Sequence, residues 1–130
     1  MFLRVCVANP PAYFDEFPNR HFIEAGSRWS FSFDAPKISH KRPHYQPYPF
    51  SLGYAVSLLR QAGYEVDAFD GCALDMDEDE WLSRVEKSSP YFLVTEVPTI
   101  SFPLVMRLLK RVRELLHCQI VVAGPHVTAI

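Results

Sequence analysis

The chain reads as a doubly wound α/β domain with a parallel central sheet. Two observations predict it: four short apolar runs alternate with helical patterns, and the runs end in turn residues where such a sheet collects its ligands. At 130 residues with 48% hydrophobic residues, one core is expected and a second domain is not. The reading is therefore a single domain over 1–130 with a long aromatic-rich insert at about 12–50.

The first run, Phe2 to Ala8, is closed by Asn9-Pro10-Pro11, because two successive prolines remove ladder donors. A helix is expected from near Ser51, with Leu52, Ala55, Val56, Leu59 and Ala62 at three- and four-residue spacing and Gly63 as its C-terminal cap. The second run follows at Tyr64 to Phe69. Asp75, Asp77, Glu78, Asp79 and Glu80 then mark the solvated, acidic start of a second helix whose buried stripe is Trp81, Leu82 and Val85. Tyr91 to Val94 form the third run. A third helix, Phe102 to His117, turns Leu104, Val105, Leu108, Leu109, Val112, Leu115 and Leu116 inward and Arg107, Lys110, Arg111 and Arg113 to water. The fourth run is Ile120 to Ala123, followed by Gly124-Pro125-His126-Val127-Thr128.

Right-handed crossovers give these runs the flavodoxin-like spatial order 2-1-3-4 in a three-layer αβα arrangement. A fifth strand would complete the pattern, and its absence leaves the fourth as an apolar edge. Residues 12–50 far exceed the roughly two to six residues usual between a strand and its helix. Phe14, Phe17, Phe22, Trp29, Phe31, Phe33, Tyr45, Tyr48 and Phe50 are too many aromatics for a disordered linker, so an ordered excursion over the sheet's carboxyl edge is expected.

Composition narrows the function. A net charge of −2 offers no broad basic field, so no nucleic acid is expected as a partner. Apolar stretches are too short for a membrane span, and the first residues read as a strand rather than a signal peptide, which points to a cytoplasmic protein. Cys6, Cys72 and Cys118 are odd in number and widely spaced, as expected of reduced structural cysteines. His40 and His44 lie beside Lys41 and Arg42 with no acid or cysteine at ligand spacing, so no metal site is assigned.

In a doubly wound sheet the ligand sits where strand order reverses, at the strands' carboxyl ends. That places Asn9, Pro10 and Pro11 after strand one, Asp70 after strand two, Thr95, Pro98 and Thr99 after strand three, and Gly124, Pro125 and His126 after strand four. These groups are mostly neutral and suit a large, weakly charged cofactor. Asn9-Pro10-Pro11-Ala12 lacks the glycines and lysine of a phosphate loop and the paired acids of a phosphoacceptor. His126 is read as a ligand, a general base or a turn cap, Asp70 as a ribose or amide contact or a turn cap, and the threonines as site groups or satisfiers of loop backbone. No nucleophile elbow or complete catalytic set is present, so no catalytic residue is assigned.

Taken together, several segments resemble one family: Asn9-Pro10-Pro11, Glu24-Ala25-Gly26-Ser27-Arg28-Trp29, Tyr48-Pro49-Phe50-Ser51-Leu52-Gly53-Tyr54, Ala62-Gly63-Tyr64-Glu65-Val66 with Asp70, Thr95-x-x-Pro98-Thr99, and Gly124-Pro125-His126-Val127-Thr128-Ala129. The chain resembles, over essentially its whole length, the N-terminal cobalamin-binding domain of cobalamin-dependent radical S-adenosylmethionine enzymes. The resemblance implies a corrinoid on the carboxyl edge, near Asn9, Pro10, Thr95, Pro98, Thr99, Gly124 and Pro125, and a methyl group relayed to an unreactive carbon or phosphorus centre. Asn9-Pro10-Pro11-Ala12-Tyr13-Phe14 stands where the older cobalamin signature carries Asp-x-His-x-x-Gly, which implies a base-off cofactor with no protein histidine below the cobalt. Ala123 stands where the pattern has a second glycine. No Cys-x-x-x-Cys-x-x-Cys motif is present, so the 4Fe-4S cluster and S-adenosylmethionine are expected only in a radical SAM barrel partner, in cis or in trans. The chain is read as the non-catalytic, cofactor-holding part of a methyltransferase-like enzyme. The alternative is a flavodoxin-like docking module without cofactor.

Overall fold

A computed structural model describes residues 3–17, 20–23, 31–34 and 48–128. The central sheet contains β1 (Arg4–Asn9), β5 (Glu65–Asp70), β6 (Phe92–Glu96) and β7 (Gln119–Ala123), all parallel, in the order β5-β1-β6-β7. This is the flavodoxin-like order 2-1-3-4 expected from the sequence. Helices α1 (Phe50–Gln61), α2 (Glu78–Ser88) and α3 (Phe102–Leu115) connect the strands, and α4 (Pro125–Thr128) is one turn following β7.

Each boundary has a local cause. Helix α1 ends in a Schellman motif: Gly63, at φ +87°, donates to the Arg60 carbonyl and Tyr64 to that of Leu59. Helix α2 begins with a reciprocal capping box. The Glu80 amide donates to the Asp77 carboxylate at 2.8 Å, and the Asp77 amide donates to the Glu80 carboxylate at 2.9 Å. The acidic run is solvated as expected: Asp75, Asp77, Asp79 and Glu80 are exposed and Glu78 is half-buried. Glu78 and Asp79 pair with Arg107 and Arg111 of α3 and so tie the two helices together.

Alternation along β1 divides the core. Cys6 and Ala8 face α2 and α3, packing with Phe69, Trp81, Leu82, Val85, Leu93, Val105, Leu108 and Val112. Val5 and Val7 face α1, packing with Leu52, Val56, Leu59, Val66 and Ala68. The expected stripe on α3 holds except at its end. The helix stops at Leu115 rather than His117, Leu116 turns extended, and Leu115 is left 55% exposed.

The insert contains a second sheet that periodicity did not disclose. Strands β2 (Tyr13–Phe17), β3 (Arg20–Ile23) and β4 (Phe31–Asp34) form an antiparallel meander with a register shift between Asp15 and Phe17. The remainder of the expected excursion, including Trp29, His40, His44 and Tyr45, lies outside the described residues. No helix among the described residues is long and apolar enough to cross a membrane.

Candidate functional site

The carboxyl ends of β1, β5, β6 and β7 form one edge, as the parallel topology requires, but the predicted site residues divide into two groups along it. Asn9, Pro10, Pro11 and Asp70 belong to the β1–β5 side. Thr95, Pro98, Thr99, Gly124, Pro125 and His126 belong to the β6–β7 side.

On the first side Asn9 is held at its backbone oxygen. Its carbonyl accepts hydrogen bonds from the indole Nε1 of Trp81 at 2.8 Å and from the Gly71 amide at 2.9 Å. A Cβ on Gly71 would lie 2.9 Å from the Asn9 oxygen, the Pro11 nitrogen and the Trp81 ring, so only glycine permits this approach. The Gly71-Cys72 turn packs over the end of β1, and both Pro10 and Pro11 are buried. Asp70 is opposite Asn9 in register, and its carboxylate accepts from the Cys72 amide at 3.1 Å, which is the turn-capping role. The Asn9 side chain differs: it is fully buried, yet neither its Nδ2 nor its Oδ1 has a hydrogen-bond partner.

On the second side, the Val97 amide donates to the Ala123 carbonyl at 2.8 Å and extends the β6–β7 ladder into the loops. Gly124, at φ +114°, lies so close that a Cβ would meet the Val97 backbone at 3.0 Å. Its lack of a side chain is explained by that packing. His126 Nδ1 and Thr99 Oγ1 are 3.3 Å apart, and the His126 and Phe102 rings are 4.2 Å centre to centre, so α4 and the loop after β6 meet in a small polar-aromatic cluster. Thr99 and Pro125 are exposed, whereas Thr95 is fully buried with its hydroxyl unpartnered.

Two features escaped the sequence reading. Glu96, 5% exposed at the end of β6, is an acid inside an apolar run, and that break in pattern was its available signal. The other is a cavity of about 440 Å³ between α1 and the β1–β5 pair, lined by Val7, Asn9, Tyr48, Leu52, Val56, Ser57, Arg60, Ala68 and Asp70 among others. A larger open groove of about 830 Å³ runs along α2, where Asp67, Asp79, Glu80, Arg84 and Lys87 give it mixed charge; none of the predicted site residues lines it.

The three cysteines are free thiols. Burial pushes the Cys6 thiol up to about 11 and raises that of Cys118. Neither is poised as a nucleophile. No group of three or more metal-ligating side chains occurs among the described residues.

Comparison with known proteins returns no matching family model, no matching curated protein and no matching solved structure.

Proposed function

We propose that the chain is the cobalamin-binding module of a radical S-adenosylmethionine enzyme, a methyltransferase acting on an unreactive carbon or phosphorus centre. The observation that carries this reading is the orphaned hydroxyl of Thr95, buried on β6 beside β1 where the strand order reverses. Buried polar groups without partners are costly, and a bound ligand or an ordered water can supply the missing bonds. The donor set fits the cofactor in kind. Hydroxyl and imidazole groups match a macrocycle fringed with neutral carboxamides better than they match a polyphosphate.

In this reading Thr95, Pro98, Thr99, Gly124, Pro125 and His126 would hold the corrinoid from the β6–β7 side, with Asp70 at the β1–β5 end of the same edge. When bound, the cofactor supplies a transferable methyl group. The chain's own contribution is to bind and orient it: Thr99 and Phe102 fix the His126 ring, and Gly124 lets the loop after β7 lie against Val97. The 4Fe-4S cluster and S-adenosylmethionine belong to a barrel partner. Titrating the full chain with hydroxocobalamin tests the reading. A saturable change in the visible spectrum, weakened by T99V and H126A, supports it, and an unchanged spectrum at millimolar protein sinks it.

A second reading, a docking module without cofactor, is favoured by one observation. Phe50, Tyr54 and Leu58 follow one another at i, i+4, i+8 on the outer face of α1 and are 65%, 70% and 66% exposed. Retained fold without corrinoid uptake is its expected outcome.

A further inference from the structure

The cavity between α1 and the β1–β5 pair has the makings of a ligand site of its own. Strand parity directs the Asn9 side chain to the α1 side: Val5 and Val7 pack against Leu52 on that face, Cys6 and Ala8 pack on the other, and Asn9 continues the odd series. Both Val7 and Asn9 line the cavity. The Asn9 carbonyl is held by Trp81 and Gly71, so the strand end is fixed and only the side-chain amide is idle. That amide is completely buried, and both its donor and its acceptor lack partners. A buried carboxamide in this state is kept at a cost to stability, and a ligand edge with the opposite pattern removes the cost.

The chemistry of the occupant follows from the walls. Val7, Leu52, Val56 and Ala68 give the cavity an apolar wall, Tyr48, Ser57, Arg60 and Asp70 add polar and charged groups, and at about 440 Å³ the space falls within the range of small-molecule pockets. A carboxamide presents a donor and an acceptor side by side. Its natural complement is a planar, neutral edge bearing an adjacent acceptor and donor, as in an aminopurine, a pyrimidine lactam or an aromatic carboxamide.

We propose that this cavity binds a planar neutral heterocycle whose cis donor–acceptor edge pairs with the Asn9 amide. The site lies on the β5 side of β1, away from Thr99 and His126, and does not rest on the corrinoid reading.

The test uses the full chain, labelled with 15N, and three probes representing the possible sources of such an edge: adenosine, uridine and nicotinamide. The Asn9 side-chain NH₂ pair, assigned by its loss in N9L, is followed in proton–nitrogen correlation spectra. The expected result is a saturable shift of that pair with at least one probe, and dissociation at least tenfold weaker in V56F, which fills the cavity and leaves Asn9 in place. N9L without probe should melt at a higher temperature than the parent, since it removes an unpaired buried amide. The proposal is overturned if no probe moves the pair at millimolar concentration, if V56F binds as tightly as the parent, or if N9L melts lower or fails to fold, which would make Asn9 a structural group.

Discussion

The Trp81 indole donates to the Asn9 carbonyl at 2.8 Å, joining helix α2 to the end of the central strand across 72 positions of sequence. Trp81 is fully buried, and its ring lies 6.5 Å from that of Phe69, which Arg84 covers at 4.5 Å. One side chain therefore fills the α2 side of the core and fixes the strand end from which the candidate site begins. W81F keeps most of the apolar volume but loses the hydrogen bond, and should cost about 1–2 kcal/mol. W81A also opens a cavity and should cost roughly 3–5 kcal/mol. Urea denaturation midpoints measure both.

Gly71 and Gly63 separate crowding from backbone preference. G71A drives a methyl group to 2.9 Å from backbone atoms of Asn9 and Pro11, and overpacking of that kind costs roughly 1–3 kcal/mol. At Gly63 nothing lies within 4 Å of a Cβ, so G63A is charged only for its positive φ, about 1 kcal/mol. Chemical denaturation should show G71A as the larger loss. The reverse order would mean that the turn over β1 can shift.

The capping box at α2 gives a third test. D77A removes the side-chain acceptor of the Glu80 amide and should destabilise by about 1 kcal/mol, with D77N and D77S recovering most of it. Thermal melts of the three variants decide the matter, and an unchanged D77A would show that water replaces the cap.

Alkaline pH should expose the buried thiol at Cys6. Its pKa rises from about 9 to about 11 in the folded chain because burial disfavours the thiolate. Between those values the unfolded chain has released a proton that the folded chain retains, so stability falls as pH rises through this window. The full decline attributable to Cys6 is roughly 2–3 kcal/mol. Denaturation of the parent and of C6A at pH 8 and pH 11 isolates it, since C6A should lack that part of the decline.

The helix-to-helix ion pairs should matter little. Arg107 and Arg111 meet Glu78 and Asp79 at the surface, where such pairs contribute about 0.2–1 kcal/mol and weaken with salt. A double-mutant cycle on Arg111 and Asp79 at low and high salt should show a small coupling that shrinks further. A coupling above about 2 kcal/mol would contradict the exposed geometry.

The sequence by itself determined the order of elements, because the signals involved are local. Alternating runs set the strands, Gly63 closes α1, Asp77 and Glu80 cap α2, and the stripe from Val105 to Val112 fixes the inner face of α3. With four strands and right-handed crossovers, few topologies remained, and the expected one is the one found. The strands of the insert were only partly legible: Phe31-Ser32-Phe33-Asp34 alternates with a period of two, but Tyr13–Phe17 and Arg20–Ile23 mix large side chains without that period.

Only the tertiary structure decided the fate of the predicted site. A strand-end position says where a residue lies along the sheet and nothing about what covers it. Pro10 and Pro11 are buried because a turn 60 residues on packs over them, Asp70 caps that turn, and Gly124 is glycine because Val97 is adjacent. The idle amide of Asn9 is likewise a property of packing. Whether a buried polar group is paired depends on neighbours brought from distant positions, and no local pattern carries that information.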